Sequence, residues 1–161
     1  MRKQVFSLLV NNNAGLLSRV AGLFSRRGYN IDSITSGVTA DARVSRITVV
    51  ASGDEQSLSQ IKKQLAKLED VLDIKVLEDG KSVCRELIMV KVRANAAQRT
   101  EIISLADIFR AKIVDVATDS VMIELTGNEA KLSAFLGLLE GYEVLDVART
   151  GLTGLVRGAN I

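Results

Sequence analysis

The hydrophobic period of this chain switches repeatedly between two and about 3.6, and the order of those switches limits the folds open to it. Val5 to Val10 reads as a strand, and Asn11-Asn12-Asn13-Ala14-Gly15 breaks it with turn-forming residues. From Leu16 to Arg27, the residues Leu17, Val20, Ala21 and Phe24 recur at helical spacing. Gly28 stands where a helix needs a left-handed C-terminal residue. Tyr29 to Val38 and Val44 to Ala51 are rich in β-formers, and the five polar or small residues between them predict an antiparallel pair. Asp54 is placed to cap a second helix, with Leu58, Ile61, Leu65 and Leu68 on one face and Lys62, Lys63 and Lys67 on the other. Val71 to Leu77 returns to strand. The first half therefore reads β-α-β-β-α-β, the ferredoxin-like split order.

A polar stretch, Glu78-Asp79-Gly80-Lys81-Ser82, follows, and the order then recurs. Glu86 to Val92 reads as a strand, and Gln98 to Arg110 as a helix carrying Ile102, Leu105, Ala106 and Phe109. Ile113 to Ala117 and Val121 to Thr126 are strands around Thr118-Asp119-Ser120. Asn128 caps a helix with Leu132, Phe135, Leu136 and Leu139, and Tyr142 to Ala148 closes the unit. The expected fold is α+β, with two ferredoxin-like βαββαβ domains at residues 1–78 and 84–161 joined by a linker at 79–83. The halves share a pattern and no motif, so a ligand site in one does not imply a site in the other. A four-stranded sheet with both helices on one face leaves its other face open, and that predicts oligomerisation.

The residues that are missing narrow the chemistry. Among 161 residues there is no His, Pro or Trp and one Cys. Without imidazole there is no Ser-His-Asp or Cys-His relay and no His-based metal site. Cys84 has no second cysteine with which to form a disulfide or a Cys-x-x-Cys pair, which suits a reducing cytoplasm. No apolar run approaches the ~20 residues of a bilayer span, and the apolar stretch after Met1-Arg2-Lys3 is too short for a secretory signal. Residues 1–80 hold 11 Lys or Arg against 9 Asp or Glu, and residues 81–161 hold 10 against 10. Neither half carries the basic surplus of a nucleic-acid binder. Four Phe and two Tyr offer few stacking platforms.

The segment Asn11 to Leu17 joins the first strand to the first helix. Free N–H groups near Gly15, Leu16 and Leu17, with the positive end of the helix dipole, suit a carboxylate or phosphate. Gly15 lets a ligand approach the backbone, and an asparagine carbonyl beside it accepts from an ammonium group. Donors beside an amide acceptor are what a free amino acid needs. The plainer alternative is that Asn13 caps the helix and Gly15 eases the turn. Gly22 and Gly28 complete no dinucleotide fingerprint with Gly15. Glu55 and Glu69-Asp70 read as solvated carboxylates, and Cys84 as an inert thiol.

The run Asn12-Asn13-Ala14-Gly15-Leu16-Leu17-Ser18-Arg19-Val20-Ala21-Gly22-Leu23-Phe24-Ser25-Arg26-Arg27-Gly28-Tyr29-Asn30-Ile31-Asp32-Ser33-Ile34 resembles the opening of the small, regulatory subunits of acetolactate synthase. The likeness continues through Ser45-Arg46-Ile47-Thr48, Leu65-Ala66-Lys67-Leu68, Arg85-Glu86-Leu87, Ile108 to Val116 and the tail Ala148 to Gly158, and so spans the chain.

The resemblance implies that the first domain is an ACT domain, an amino-acid-binding module, and that the second is the C-terminal domain typical of these small subunits. It implies a homodimer formed through the ACT domains, with L-valine held between the two copies. Asn12 and Gly15 match the family's loop positions, and Asn30 and Ile31 match the pair facing them from the partner. Leu16 and Leu17, with Ile31, are expected to wall the isopropyl group. The resemblance further implies a partner, the catalytic large subunit, which holds thiamine diphosphate, magnesium and FAD. This chain itself is then expected to carry no catalytic residue, no metal and no cofactor, and to confer feedback inhibition in branched-chain amino acid biosynthesis from the cytoplasm. The loop departs from the commoner family pattern at Asn11 and at Asn13-Ala14. Two rival classes are an ACT-type sensor acting on a different enzyme or on transcription, and a small enzyme of ferredoxin-like fold. The first calls for a helix-turn-helix or basic face when it acts on DNA, and the second for a catalytic base; neither feature is visible in the sequence.

Overall fold

In the computed structural model, which describes residues 1–161, the chain divides into two units, residues 1–84 with 152–161, and residues 85–151. The first unit contains β1 (Arg2–Asn11), α1 (Leu16–Arg27), β2 (Asn30–Val38), β3 (Val44–Gly53), α2 (Glu55–Ala66) and β4 (Val71–Val76). Its sheet has the order β2-β3-β1-β4, with every pair antiparallel. Alternation along the two central strands turns Phe6, Leu8 and Val10, with Ile47, Val49 and Ala51, toward Val20, Leu23, Phe24, Leu58, Ile61 and Leu65 in one buried core. Asp54 caps α2 by accepting from the Ser57 N–H at 2.7 Å. Gly28 ends α1 with φ of 68°.

One face assignment differs from the sequence reading. Leu17, expected against the core, is 47% exposed, Ala21 is exposed as well, and the inward stripe is Leu16, Val20, Leu23 and Phe24. Because α1 begins at Leu16, the positions i, i+4, i+7 and i+8 from that residue form the stripe.

The second unit repeats the order with β5 (Ser82–Arg93), α3 (Ala96–Ile108), β6 (Lys112–Val116), β7 (Ser120–Gly127), α4 (Glu129–Leu138) and β8 (Val144–Arg149), in a sheet ordered β6-β7-β5-β8. Ile88, Val90, Val92, Ile102, Ala106, Ile123, Leu125, Leu132, Phe135 and Leu139 fill its core. Phe109 meets Phe135 edge to face at 5.2 Å. Asn128 caps α4 as its position suggested. α3 starts with a reciprocal capping box between Asn95 and Gln98, which the pattern of apolar residues did not reveal. The molecule is thus α+β, with two ferredoxin-like repeats.

The tail changes the expected boundary at 84–161. Leu152 to Ile161 belong to the first unit, together with Cys84. A short strand, β9 (Thr153–Val156), pairs with β5, and the Arg157 N–H donates to the Lys81 carbonyl at 2.9 Å. The Thr35 hydroxyl donates to the Leu152 carbonyl. These bonds carry the last residues onto the helix-free face of the first sheet, where Ser7, Thr48 and Val50 are buried. The face expected to await a partner is therefore covered, in part, by the chain's own end.

Gly154 makes this approach possible. A Cβ there would lie 2.6 Å from both Cys84 Sγ and the Val83 carbonyl oxygen. Gly154→Val is expected to unseat the tail, read as faster proteolysis after residue 151 and as faster amide exchange at Leu155 to Arg157, while the cores of both units stay protected.

Candidate functional site

The loop between β1 and α1 is held from two sides. On one side, the Asn12 N–H donates to the Arg43 carbonyl at 2.8 Å and its side-chain amide donates to the Ala42 carbonyl at 3.1 Å. Those carbonyls belong to the β2–β3 turn, which is itself clamped: Arg43 forks onto Asp41, with Nε to Oδ1 at 3.0 Å and NH2 to Oδ2 at 2.9 Å. The same guanidinium, helped by the Arg43 backbone N–H, holds the Asp41 carboxyl below its ordinary value of 3.8. On the other side, Asp70 accepts from the Asn13 side-chain amide at 2.9 Å and from Arg19 at 2.9 Å.

This bracing settles what Asn13 does. It does not cap α1; Gly15 occupies the cap position with φ of 84°, and no side chain bonds to the helix's first N–H groups. The backbone donors at the start of α1 thus lack a side-chain acceptor, the Leu16 N–H making only a long 3.4 Å bond to the Asn13 backbone carbonyl, and the Asn12 side-chain oxygen receives no donor from the chain. A set of donors for an anion and an amide acceptor stand next to each other on a fixed loop.

The remaining predicted residues divide. Leu16 is buried in the core, so it brings to the loop its backbone and not its side chain, whereas Leu17 is exposed beside it. Asn30 opens β2, is exposed, and donates through its amide to Asp32; Ile31 follows, half-buried. β2 is an edge strand, bonded only to β3. Registers across the sheet place Asn30 and Lys3 both opposite Ser52, at the far end of β1 from Asn12. Nine residues of strand separate the two places, about 30 Å. One copy of the chain therefore does not bring Asn12, Gly15 and Leu17 together with Asn30 and Ile31.

The bracing residues Asp41, Arg43 and Asp70 escaped the sequence reading. By its sequence neighbours Asp70 reads as solvated surface. The adjacency of Asp41 and Arg43 at a turn is a local signal for a side-chain fork, but nothing local ties Asp70 to a loop 57 positions away. No group of three or more His, Cys, Asp or Glu is placed to hold a metal ion, and no helix is long and apolar enough to cross a membrane.

Comparison with known proteins gives a consistent result. Residues 6–73 match the family described as "AHAS small subunit-like ACT domain", and residues 85–158 match "Small subunit of acetolactate synthase". The chain is 47% identical over 156 residues to the "Probable acetolactate synthase small subunit" of Methanothermobacter thermautotrophicus, covering 96% of this chain and 93% of that one. It is 44% identical over 160 residues to the "Acetolactate synthase isozyme 3 small subunit" of Escherichia coli, covering 99% and 98%. Among solved structures, the acetolactate synthase small subunit from Thermotoga maritima superposes with a TM-score of 0.88 at 38% identity over the whole of both chains.

Two outcomes test the loop. Gly15→Ala must force a side chain into the left-handed region, and is expected to cost about 1 to 2 kcal/mol in denaturant unfolding. The Asp41 carboxyl sits lower in the folded chain than in the unfolded one, so the order it gives the loop is complete above the ordinary carboxylate range and lost as pH falls through the lowered folded value. Amide exchange at Asn12 and Asn13 is expected to speed up at that point beyond its intrinsic pH dependence. In Asp41→Asn the same amides should be loosened at every pH, with no such step.

Proposed function

The chain belongs to the family of acetolactate synthase small subunits, and from that membership we propose that it is the regulatory, non-catalytic partner of a large subunit, binding L-valine between two copies of its ACT domain. The observation that carries the effector site is the braced loop after β1: uncapped helix N–H groups beside an unoccupied asparagine carbonyl. In this reading the effector carboxylate takes the N–H groups of Gly15 to Leu17, and its ammonium meets the carbonyl oxygen of Asn12 or of Asn30 from the second copy. Leu17 and the second copy's Ile31 wall the isopropyl group. The separation of the two residue sets within one chain supports a site made by two copies, and the free edge of β2 offers backbone groups for such a pairing. The homodimer is part of the proposal.

The active site lies on the large subunit, which holds thiamine diphosphate, magnesium and FAD and condenses two pyruvates, or pyruvate with 2-ketobutyrate. This chain activates that subunit and lowers its output when valine accumulates, in the cytoplasm. Valine acts only to the extent that it binds one arrangement of the assembly better than another, and coupling of this kind amounts to about 1 to 3 kcal/mol. A wall of apolar side chains separates homologues differing by one methylene by ~1 to 3 kcal/mol, so leucine and isoleucine bind the same site more weakly.

Calorimetric titration of the full chain with L-valine, with D-valine and L-lysine as controls, tests the proposal. Saturable binding of L-valine alone is expected, lost in Asn12→Ala and in Gly15→Asp. Failure of L-valine to bind both by itself and in the presence of the large subunit overturns the effector assignment. Binding that survives Asn12→Ala and Gly15→Asp overturns the loop as its site.

A further inference from the structure

We propose that the cavity between the helix-free face of the first sheet and the C-terminal segment is a second small-molecule site, specific for a short aliphatic monocarboxylate. The cavity measures about 320 Å3, at the small end of the range of organic ligand sites. Its polar wall is Ser7, Arg46, Lys75 and Asn160, and its apolar wall includes Leu77, Leu155 and Val156. All of these belong to the first unit.

Sheet register explains how the polar groups converge. Ser7 pairs with Thr48 on one side and with Lys75 on the other, so the three form a row across β3, β1 and β4. Arg46 is two residues before Thr48 on the same face, and its guanidinium donates to Ser7 Oγ at 2.5 Å. Helices cover the opposite face, and the tail covers this one. Two cations are thereby brought under a lid of apolar residues.

Two observations fix the chemistry of the ligand. Neither Arg46 nor Lys75 is in an ion pair with a carboxylate of the chain, and no Asp or Glu side chain lines the cavity. Two side-chain cations face the single terminal carboxylate of Ile161 there, so the site stays positive on balance and selects an anion. A free amino acid would set its ammonium group against the same two cations, which separates this site from the one at the β1–α1 loop. The apolar wall favours a hydrocarbon tail over a bare inorganic anion.

The carboxylate is held by the Arg46 fork and the Lys75 ammonium, with Ser7 positioned by Arg46, and the chain of the ligand lies against Leu77, Leu155 and Val156. The site is closed by β9 and the residues after it, so occupancy and the seating of the tail are coupled.

The test is an amide chemical-shift titration of the full isotope-labelled chain with isovalerate, inorganic phosphate and L-valine in turn. Isovalerate is expected to shift Ser7, Arg46, Lys75 and Leu155 to Arg157 saturably. Arg46→Gln and Lys75→Gln are each expected to weaken it about tenfold or more, and Leu155→Ala to weaken isovalerate but not phosphate. L-valine is expected to leave these amides unmoved. The proposal is overturned if isovalerate gives no saturable shift there in the wild-type chain. It is equally overturned if phosphate saturates the same amides as tightly, or if both cation variants, with spectra otherwise intact, bind isovalerate as the wild type does.

Discussion

Everything in the first unit depends on one buried stripe, the inward face of β1. Phe6, Leu8 and Val10 are all but inaccessible to solvent, and each such side chain contributes about 1.5 to 3 kcal/mol when removed from water. A slip of one residue would turn the stripe outward and bring Ser7 and Leu9 into the core, so the register of β1 against both β3 and β4 is fixed. With β1 central, the order β2-β3-β1-β4 follows, β2 is left on an edge, and the loop after β1 emerges at the end of the sheet opposite to the start of β2. The two sets of residues proposed to hold the effector are kept apart by the same packing that stabilises the domain.

The register that buries one face also composes the other. Because Phe6 and Leu8 face the helices, Ser7 between them faces away, in line with Thr48 and Lys75. A polar row of this kind is suited to solvent, yet Ser7 and Thr48 are buried because the last residues of the chain return over them. The return depends on a glycine small enough to lie against Cys84 and on backbone bonds from β9 to the start of β5. A tail held by one short strand is the sort of element whose local stability is low compared with a core strand. That is a property suited to a segment whose position reports on a ligand.

Much of this was legible beforehand, for a physical reason that differs by element. Both β-α-β-β-α-β orders could be read because the period of two and the period of 3.6 come from local geometry. Asp54, Asn128 and Gly28 were legible as caps and stops because each acts within four residues of itself. Asn12 and Gly15 stood out because an asparagine run before a helix is unusual turn chemistry. Leu16 and not Leu17 faces the core because two adjacent leucines open the helix and only the point where it begins decides which of them turns inward. The role of Asn13 was open for the same local reason: it is a good capping residue, and only Asp70, brought in just ahead of β4, draws its side chain away.

The sequence alone determined the elements, their order and the family pattern, since propensity, periodicity and capping are written within a few residues of where they act. Tertiary structure alone decided that Asp41, Arg43 and Asp70 brace the loop, that Asn12 and Asn30 lie at opposite ends of one sheet, and that the tail returns to the first unit. Those facts depend on strand register and on contacts between distant parts of the chain. Side chains such as Ser7, Arg46 and Lys75 acquire common surroundings only when three strands are laid side by side.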